Sequence, residues 1–206
     1  MSQYFIDDKN VKSELFTYEA TILNKKYTFY SDNGVFSKEH LDFGSLLLIE
    51  EFKNPDIEGL LLDLGCGNGV IGISLSKEYN RELFMIDINP KATKLAELNA
   101  SKNDVNSTIL TRDSIGNLDK EFACILTNPP IRAGKKVIYN FFDEAYTHLK
   151  QNGELWFVMR RNHGVESAIK KIDEVFNNHE VVKRKNGFWI VKTKKLKLYY
   201  KRVLTI

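Results

Sequence analysis

The chain predicts an α/β fold: a mainly parallel sheet with helices on both faces, finished by an antiparallel hairpin. Three observations carry this. From Gly59 onward, short apolar runs alternate with helical periodicities, the rhythm of βα units whose strands lie parallel. A glycine-rich turn, Gly65-Cys66-Gly67-Asn68-Gly69, joins the first of these strands to its helix. Near the end, Asn186-Gly187 separates two strand-like runs, a strong signal for a two-residue hairpin turn.

The elements follow in order. Tyr18 to Tyr30 alternates polar and apolar residues around Asn24-Lys25-Lys26 and reads as a hairpin or two short strands. Gly34-Val35-Phe36-Ser37 turns the chain. Asp42 to Phe52 has helical apolar spacing at Leu46, Leu47, Ile49 and Phe52. Asp42 either caps that helix or closes over a site with Phe36 and Ser37. Leu60 to Leu64 is the first core strand, Val70 to Tyr79 its helix, and Glu82 to Ile86 the second strand, closed by Asp87. Asn89-Pro90 opens a helix running to about Asn103, with Pro near its first position. Ser107 to Leu110 and Phe122 to Leu126 are further strands. Val137 to Leu149 is helical, Glu154 to Met159 a strand, and Val165 to Phe176 helical. Residues 1–36 form an N-terminal β extension packed on a core domain of 37–206.

A chain of 206 residues with 43% hydrophobic composition fits one domain with a substantial core. No run approaches the ~18 apolar residues of a membrane span. The start lacks a signal peptide's basic-then-apolar pattern. Cys66 and Cys124 fit no metal spacing and read as reduced thiols of a cytoplasmic protein. His40, His148, His163 and His179 are scattered, so neither a metal site nor a catalytic imidazole is expected. A monomer is the expectation for the oligomeric state. The net charge of +3 is uneven: residues 181–206 hold nine Lys or Arg and no Asp or Glu, leaving −6 on the rest. A basic end on an acidic body suits a polyanionic partner. It also suits a solvated edge hairpin whose lysines block aggregation. Phe188-Trp189 and Tyr199-Tyr200 are expected to pack the sheet.

The glycine-rich turn begins with Asp63-Leu64. Its glycines let backbone amides approach a ligand at a helix start. A dinucleotide fingerprint requires a third Gly at position 70, where this chain has Val70. The spacing is Gly-x-Gly-x-Gly, and Asp63 beside it repels pyrophosphate but can pair with an ammonium. S-adenosylmethionine carries an ammonium, a sulfonium and no phosphate. Asp87 follows the second strand, where α/β nucleotide folds place an acid on ribose hydroxyls. Ile88 beside it joins that contact set, and Asp113-Ser114 follows the third strand within reach of an adenine edge. For Asp113 a plain loop carboxylate is a competing reading.

Thr127-Asn128-Pro129-Pro130-Ile131 ends the fourth strand. Neither proline can donate a ladder hydrogen bond, so the strand stops there. The Asn128 side chain and nearby carbonyls then project from a stiffened loop, which suits gripping a planar amine. Arg132 and Lys135 follow in a basic loop.

On these residues the chain resembles the class I S-adenosylmethionine-dependent methyltransferases, with DLGCGNG at 63–69 as the cofactor motif and NPPI at 128–131 as the amine-methylating motif. More narrowly it resembles the "methyltransferase small" family, which includes RsmC-like enzymes. GVFSKEHLDFGSLLL at 34–48, DINP at 87–90 and TNPPIRAGK at 127–135 support this. RsmC-like proteins carry two such domains, and this chain matches the catalytic copy. The resemblance implies a Rossmann-like, mainly parallel seven-stranded sheet and S-adenosylmethionine as cofactor. It implies cofactor contacts from Asp63, Gly65, Cys66, Gly67, Asn68, Gly69, Asp87, Ile88, Asp113, Ser114 and Asn128. The implied reaction is methylation of a guanine 2-amino group in 16S ribosomal RNA, with ribosomal RNA or the small ribosomal subunit as partner. The Asn128 side-chain oxygen and the Pro129 carbonyl would each bind one N–H of that amine, and Pro130 and Ile131 complete the catalytic motif. Many relatives have Tyr or Phe at the position of Ile131, so Phe36 or Arg132 would steady the base instead, with Lys135 on the RNA. Methylation of a protein glutamine, and a catalytically silent module that binds RNA or the cofactor, are the alternative readings.

Overall fold

The computed structural model describes residues 15–32 and 41–197. Phe36, Ser37, His40, Tyr199, Tyr200 and the 34–37 turn lie outside them. Two strands, β1 (Leu15–Ile22) and β2 (Lys25–Asp32), form an antiparallel hairpin. Leu23 and Asn24 turn it, both with positive φ (48° and 63°), one residue earlier than the sequence suggests. Helix α1 (Phe43–Glu51) leads into the βα series: β3 (Leu60–Leu64), α2 (Val70–Tyr79), β4 (Leu83–Asp87), α3 (Pro90–Lys102), β5 (Ser107–Thr111), β6 (Phe122–Thr127), α4 (Lys135–His148), β7 (Leu149–Arg160) and α5 (Val165–Phe176). β8 (Glu180–Lys185) and β9 (Phe188–Lys194) close the fold through Asn186-Gly187, both with positive φ.

These seven strands form one sheet in the order β5-β4-β3-β6-β7-β9-β8. β5, β4, β3, β6 and β7 run parallel, and β9 is antiparallel to both of its neighbours. The hairpin thus inserts its second strand between its first and β7. Side chains alternate between the two faces as the strand period demands. Leu61, Met85 and Leu126 meet α1, α2 and α3 on one face. Leu62, Ile86, Ile125 and Phe157 meet α4 and α5 on the other. Every residue of β6 is buried, the apolar signature of a parallel strand covered on both faces.

The chain order reverses between β3 and β6. β4 and β5 extend the sheet from one side of β3, while β6 and β7 extend it from the other. Open α/β sheets hold ligands at such a switch point, beyond the carboxyl ends of the strands. Here those ends are the Gly65–Gly69 turn and Asn128.

The N-terminal hairpin docks on α3 through two buried amides one helical turn apart. Asn99 accepts from Tyr30 N–H (2.6 Å) and donates to the Tyr30 carbonyl (3.0 Å). Asn103 accepts from Thr28 N–H (3.2 Å) and donates to the Thr28 carbonyl (2.9 Å). The helix thus pairs the free edge of β2 as a strand would. Asn99 also donates to the Asn68 carbonyl (2.8 Å), so one amide ties the hairpin to the glycine-rich turn. No helix among the described residues is long and apolar enough to cross a membrane.

Candidate active site

The turn after β3 is shaped by three left-handed glycines, Gly65 (φ 73°), Gly67 (φ 57°) and Gly69 (φ 84°). A Cβ on Gly67 would meet nothing within 4 Å, so this side of the turn faces open space. A Cβ on Gly65 would lie 3.6 Å from Phe141 and 3.8 Å from Pro130. The turn and the Asn-Pro-Pro loop therefore adjoin, although Gly65 and Pro130 are 65 residues apart in sequence.

Asp87 braces the turn. Its Oδ2 accepts from Gly67 N–H (2.8 Å) and its Oδ1 from Asn89 N–H (2.9 Å). Burial nonetheless holds its carboxyl above the usual range, against those hydrogen bonds. Hydroxyl donors from a ribose would oppose that burial penalty further.

Asp63 lies beneath the turn with no accessible surface. Its Oδ2 accepts from Gly72 N–H in the first turn of α2 (2.8 Å), and Gly72 has no room for a Cβ, which would sit 2.9 Å from that of Asp63. The other oxygen, Oδ1, has no hydrogen-bond partner. Burial pushes the carboxyl up to about 7, with the Asp87 charge adding to the effect. An ammonium at the turn would supply the charge this orphaned oxygen lacks, so the residues fit a cationic amino-acid cofactor.

Of the other turn residues, Cys66 and Asn68 are buried. The Asn68 amide donates to the Tyr18 hydroxyl (3.3 Å), so β1 reaches the turn as well. Burial raises the Cys66 thiol, and it raises that of Cys124 to about 12, so both stay protonated and neither is paired. Ile88 is half-buried beside Asp87. Asp113 is exposed after β5 and accepts from the Ser114 hydroxyl (3.3 Å). That leaves both its cofactor role and its reading as a plain loop carboxylate standing.

Asn128 is held by residues that sequence spacing does not connect to it. Its Nδ2 donates to Asp42 Oδ2 and to Ser45 Oγ, each at 3.0 Å. The same Asp42 oxygen accepts from Ser45 N–H (2.8 Å) and caps α1. Asp42 therefore performs the capping role, and also meets the site. An ionised carboxylate only accepts, so the –NH₂ of Asn128 must face it. The Oδ1 of Asn128 is thereby turned away from α1, and nothing in the described residues donates to it. Pro129 is buried, and no donor among the described residues reaches its carbonyl, whereas Pro130 O accepts from Ala133 N–H (2.9 Å) in the short 3₁₀ turn Ile131–Ala133. Two acceptors without a donor among the described residues, on a proline-stiffened loop, are what a planar amine requires.

Ile131 packs against the cluster under α4, so part of its surface is committed to the core. Arg132 and Lys135 are exposed. Lys135 opens α4, two residues earlier than expected, behind Gly134 (φ 90°). His148 is structural: its ring nitrogens reach the carbonyls of Lys120 (3.1 Å) and Gly116 (2.8 Å). No cluster of three or more His, Cys, Asp or Glu placed to hold a metal occurs among the described residues.

This sheet order, with a glycine-rich turn at the switch point and Asn-Pro-Pro beside it, defines a class I S-adenosylmethionine-dependent methyltransferase. The chain belongs to the methyltransferase small domain family, whose match spans residues 26–192. It is 46% identical over 201 residues to the uncharacterized protein YbxB of Bacillus subtilis, covering 95% of this chain and all of that one. It is 32% identical over 183 residues to the ribosomal RNA small subunit methyltransferase C of Haemophilus influenzae, covering 86% of this chain and 54% of the relative. The corresponding protein of Actinobacillus pleuropneumoniae is 31% identical over 171 residues. The chain thus spans about half the length of these methyltransferases. Among solved structures, the Thermus thermophilus 16S rRNA N2 G1207 methyltransferase RsmC, in complex with AdoMet and guanosine, shares the fold. Its TM-score is 0.79 at 24% identity, over 88% of this chain and 50% of that one.

Proposed function

We propose that the protein methylates the exocyclic 2-amino group of a guanine in 16S ribosomal RNA. The observation that carries this reading is the fixed amide of Asn128, whose Oδ1, like the Pro129 carbonyl, meets no donor among the described residues. The half-length likeness to two ribosomal RNA small subunit methyltransferases supports the choice of substrate.

The cofactor supplies a methyl group on a sulfonium. The chain's residues do the rest. Asp63, Asp87 and the Gly65–Gly69 backbone hold the cofactor. Asn128 Oδ1 and Pro129 O each accept one N–H of the amine, drawing a ring-delocalised lone pair towards a tetrahedral nitrogen. Transfer of the methyl group to the amine would place positive charge on its nitrogen, between the Asn128 Oδ1 and the Pro129 carbonyl. Two fixed acceptors then stabilise that charge without reorganising, and alignment of the reactants lowers the barrier further. The extra proton leaves to water.

The test is transfer of tritiated methyl from S-adenosylmethionine to under-methylated small ribosomal subunits. Asn128→Ala should abolish transfer while cofactor binding persists in calorimetry. Wild-type rates in that variant would refute the amine grip. Methyl acceptance by release factors in place of subunits would move the substrate to a protein glutamine.

A further inference from the structure

The loop after Asn-Pro-Pro supplies one basic bank beside the site, with Arg132, Lys135 and Lys136 exposed. The sheet builds a second bank opposite. β7 runs parallel to β6, and Thr127, next to Asn128, pairs with Phe157. β7 then continues three residues further, to Arg160, which pairs with Phe188 at the start of β9. Phe188 meets Phe43 with ring centroids 5.5 Å apart, and Phe43 adjoins Asp42, which holds Asn128. The Arg160 guanidinium sits 4.4 Å above the Phe188 ring, and Lys185 Nζ lies 6.0 Å from the Phe43 ring. Arg160, Arg161, Asn162, Glu166 and Gly187 line a shallow cleft at this end of the sheet.

We propose that Arg160, Arg161 and Lys185 bind the phosphates of a single RNA strand, which crosses the site from Arg132–Lys136 to the β8–β9 turn with the reacting base between the banks. The surface rests on the reading of Asn128 for its place on the track. Two observations favour it. Arg160 and Lys185 have no carboxylate partner among the described residues. Arg161 contacts Glu166 at 3.4 Å, but both side chains are mostly exposed, and a surface pair of that kind is weak enough for a phosphate to displace. β7 is an interior strand between β6 and β9, so a cation at its end guards no exposed edge. Lys183 and Lys192, by contrast, pair with Glu51 and Glu180. The two rings beneath the cations also limit the freedom of the side chains before a phosphate arrives.

The measurement is the affinity of the full chain for a labelled short single-stranded RNA, by fluorescence anisotropy over a range of salt. Arg160→Gln, Arg161→Gln and Lys185→Gln together should weaken binding about tenfold or more at low salt. The slope of log affinity against log salt should fall by about 2, from ~0.7 per phosphate on a single strand. Cofactor affinity and melting temperature should hold. Lys185→Glu, at the exposed end of β8, gives a severalfold loss if the triple variant does not fold. The salt slope reads phosphate contacts and methyl transfer reads the Asn128 site, so failure of the methylation reading shows in methyl transfer and failure of this one in the slope. Wild-type affinity and slope in the triple variant, or equal competition by polyglutamate, would overturn the proposal.

Discussion

At Asn128 the chemistry depends on which way one amide faces. A carboxylate on a neighbouring helix cap settles that, because Asp42 Oδ2 takes the Nδ2 hydrogen and cannot offer one back. The orientation can be separated from capping. Ser caps a helix about as well as Asp, but its hydroxyl stands on a shorter side chain that does not reach Asn128. Asp42→Ser is therefore expected to keep the melting temperature of the wild type. Its kcat should still fall by about 10- to 100-fold, since small misplacements of positioned groups cost that much. Cofactor affinity should not change. Asp42→Ala should lose about 1 kcal/mol of stability as well. A D42S enzyme with wild-type kcat would show that Asn128 orients itself. The sequence offered Asp42 as a cap or as part of the site's closure, but not its bond to Asn128. Asp42 and Asn128 are 86 residues apart, and a cap signal at Asp42 has a sufficient local explanation. The positions of Asp63, Asp87 and the glycines at the strand ends were legible, because a strand–turn–helix junction with left-handed backbone restricts the residue types there.

Among the elements, α3 does more than cover the sheet. Asn99 and Asn103 pair the edge of β2, and Asn99 also holds the Asn68 carbonyl. Replacing Asn99 by Ala would strand the Tyr30 N–H and two carbonyls in a buried site. At ~1–3 kcal/mol for an unsatisfied group, a loss of about 2–4 kcal/mol is expected in urea unfolding. Cofactor affinity should weaken too, because the turn loses its anchor. Asn103→Ala should destabilise the hairpin and leave cofactor affinity near wild type. The strands of the parallel sheet could be read in advance, since a strand covered on both faces is apolar throughout, as β6 is. The ends were less legible. α4 starts at Lys135 behind a glycine without a side-chain cap. β7 runs back to Leu149 through Lys150, Gln151 and Asn152, polar residues with no apolar alternation to mark them.

For the whole molecule, the buried pair Asp63 and Asp87 makes stability and ligand binding depend on pH in opposite senses. The unfolded chain releases the Asp63 proton near pH 4, whereas the folded protein holds it to about pH 7. Between those values the unfolded state binds fewer protons, so unfolding free energy falls as pH rises. Cofactor binding should show the reverse, tightening as pH rises through about 7 and the carboxylate ionises to meet an ammonium. Calorimetric titrations across that range check both trends, and Asp63→Asn should flatten both. The order in which the sheet is completed has a separate consequence. β9 lies between β7 and β8, yet it is made after both. During synthesis the apolar run from Leu155 to Met159 must wait, with one side of its backbone unpaired, until Phe188–Lys194 has emerged. An unpaired edge of that kind recruits other nascent chains. Lys183, Arg184 and Lys185 of β8 emerge ahead of that strand and are then gatekeepers in time as well as in space, shielding the half-built sheet until β9 arrives.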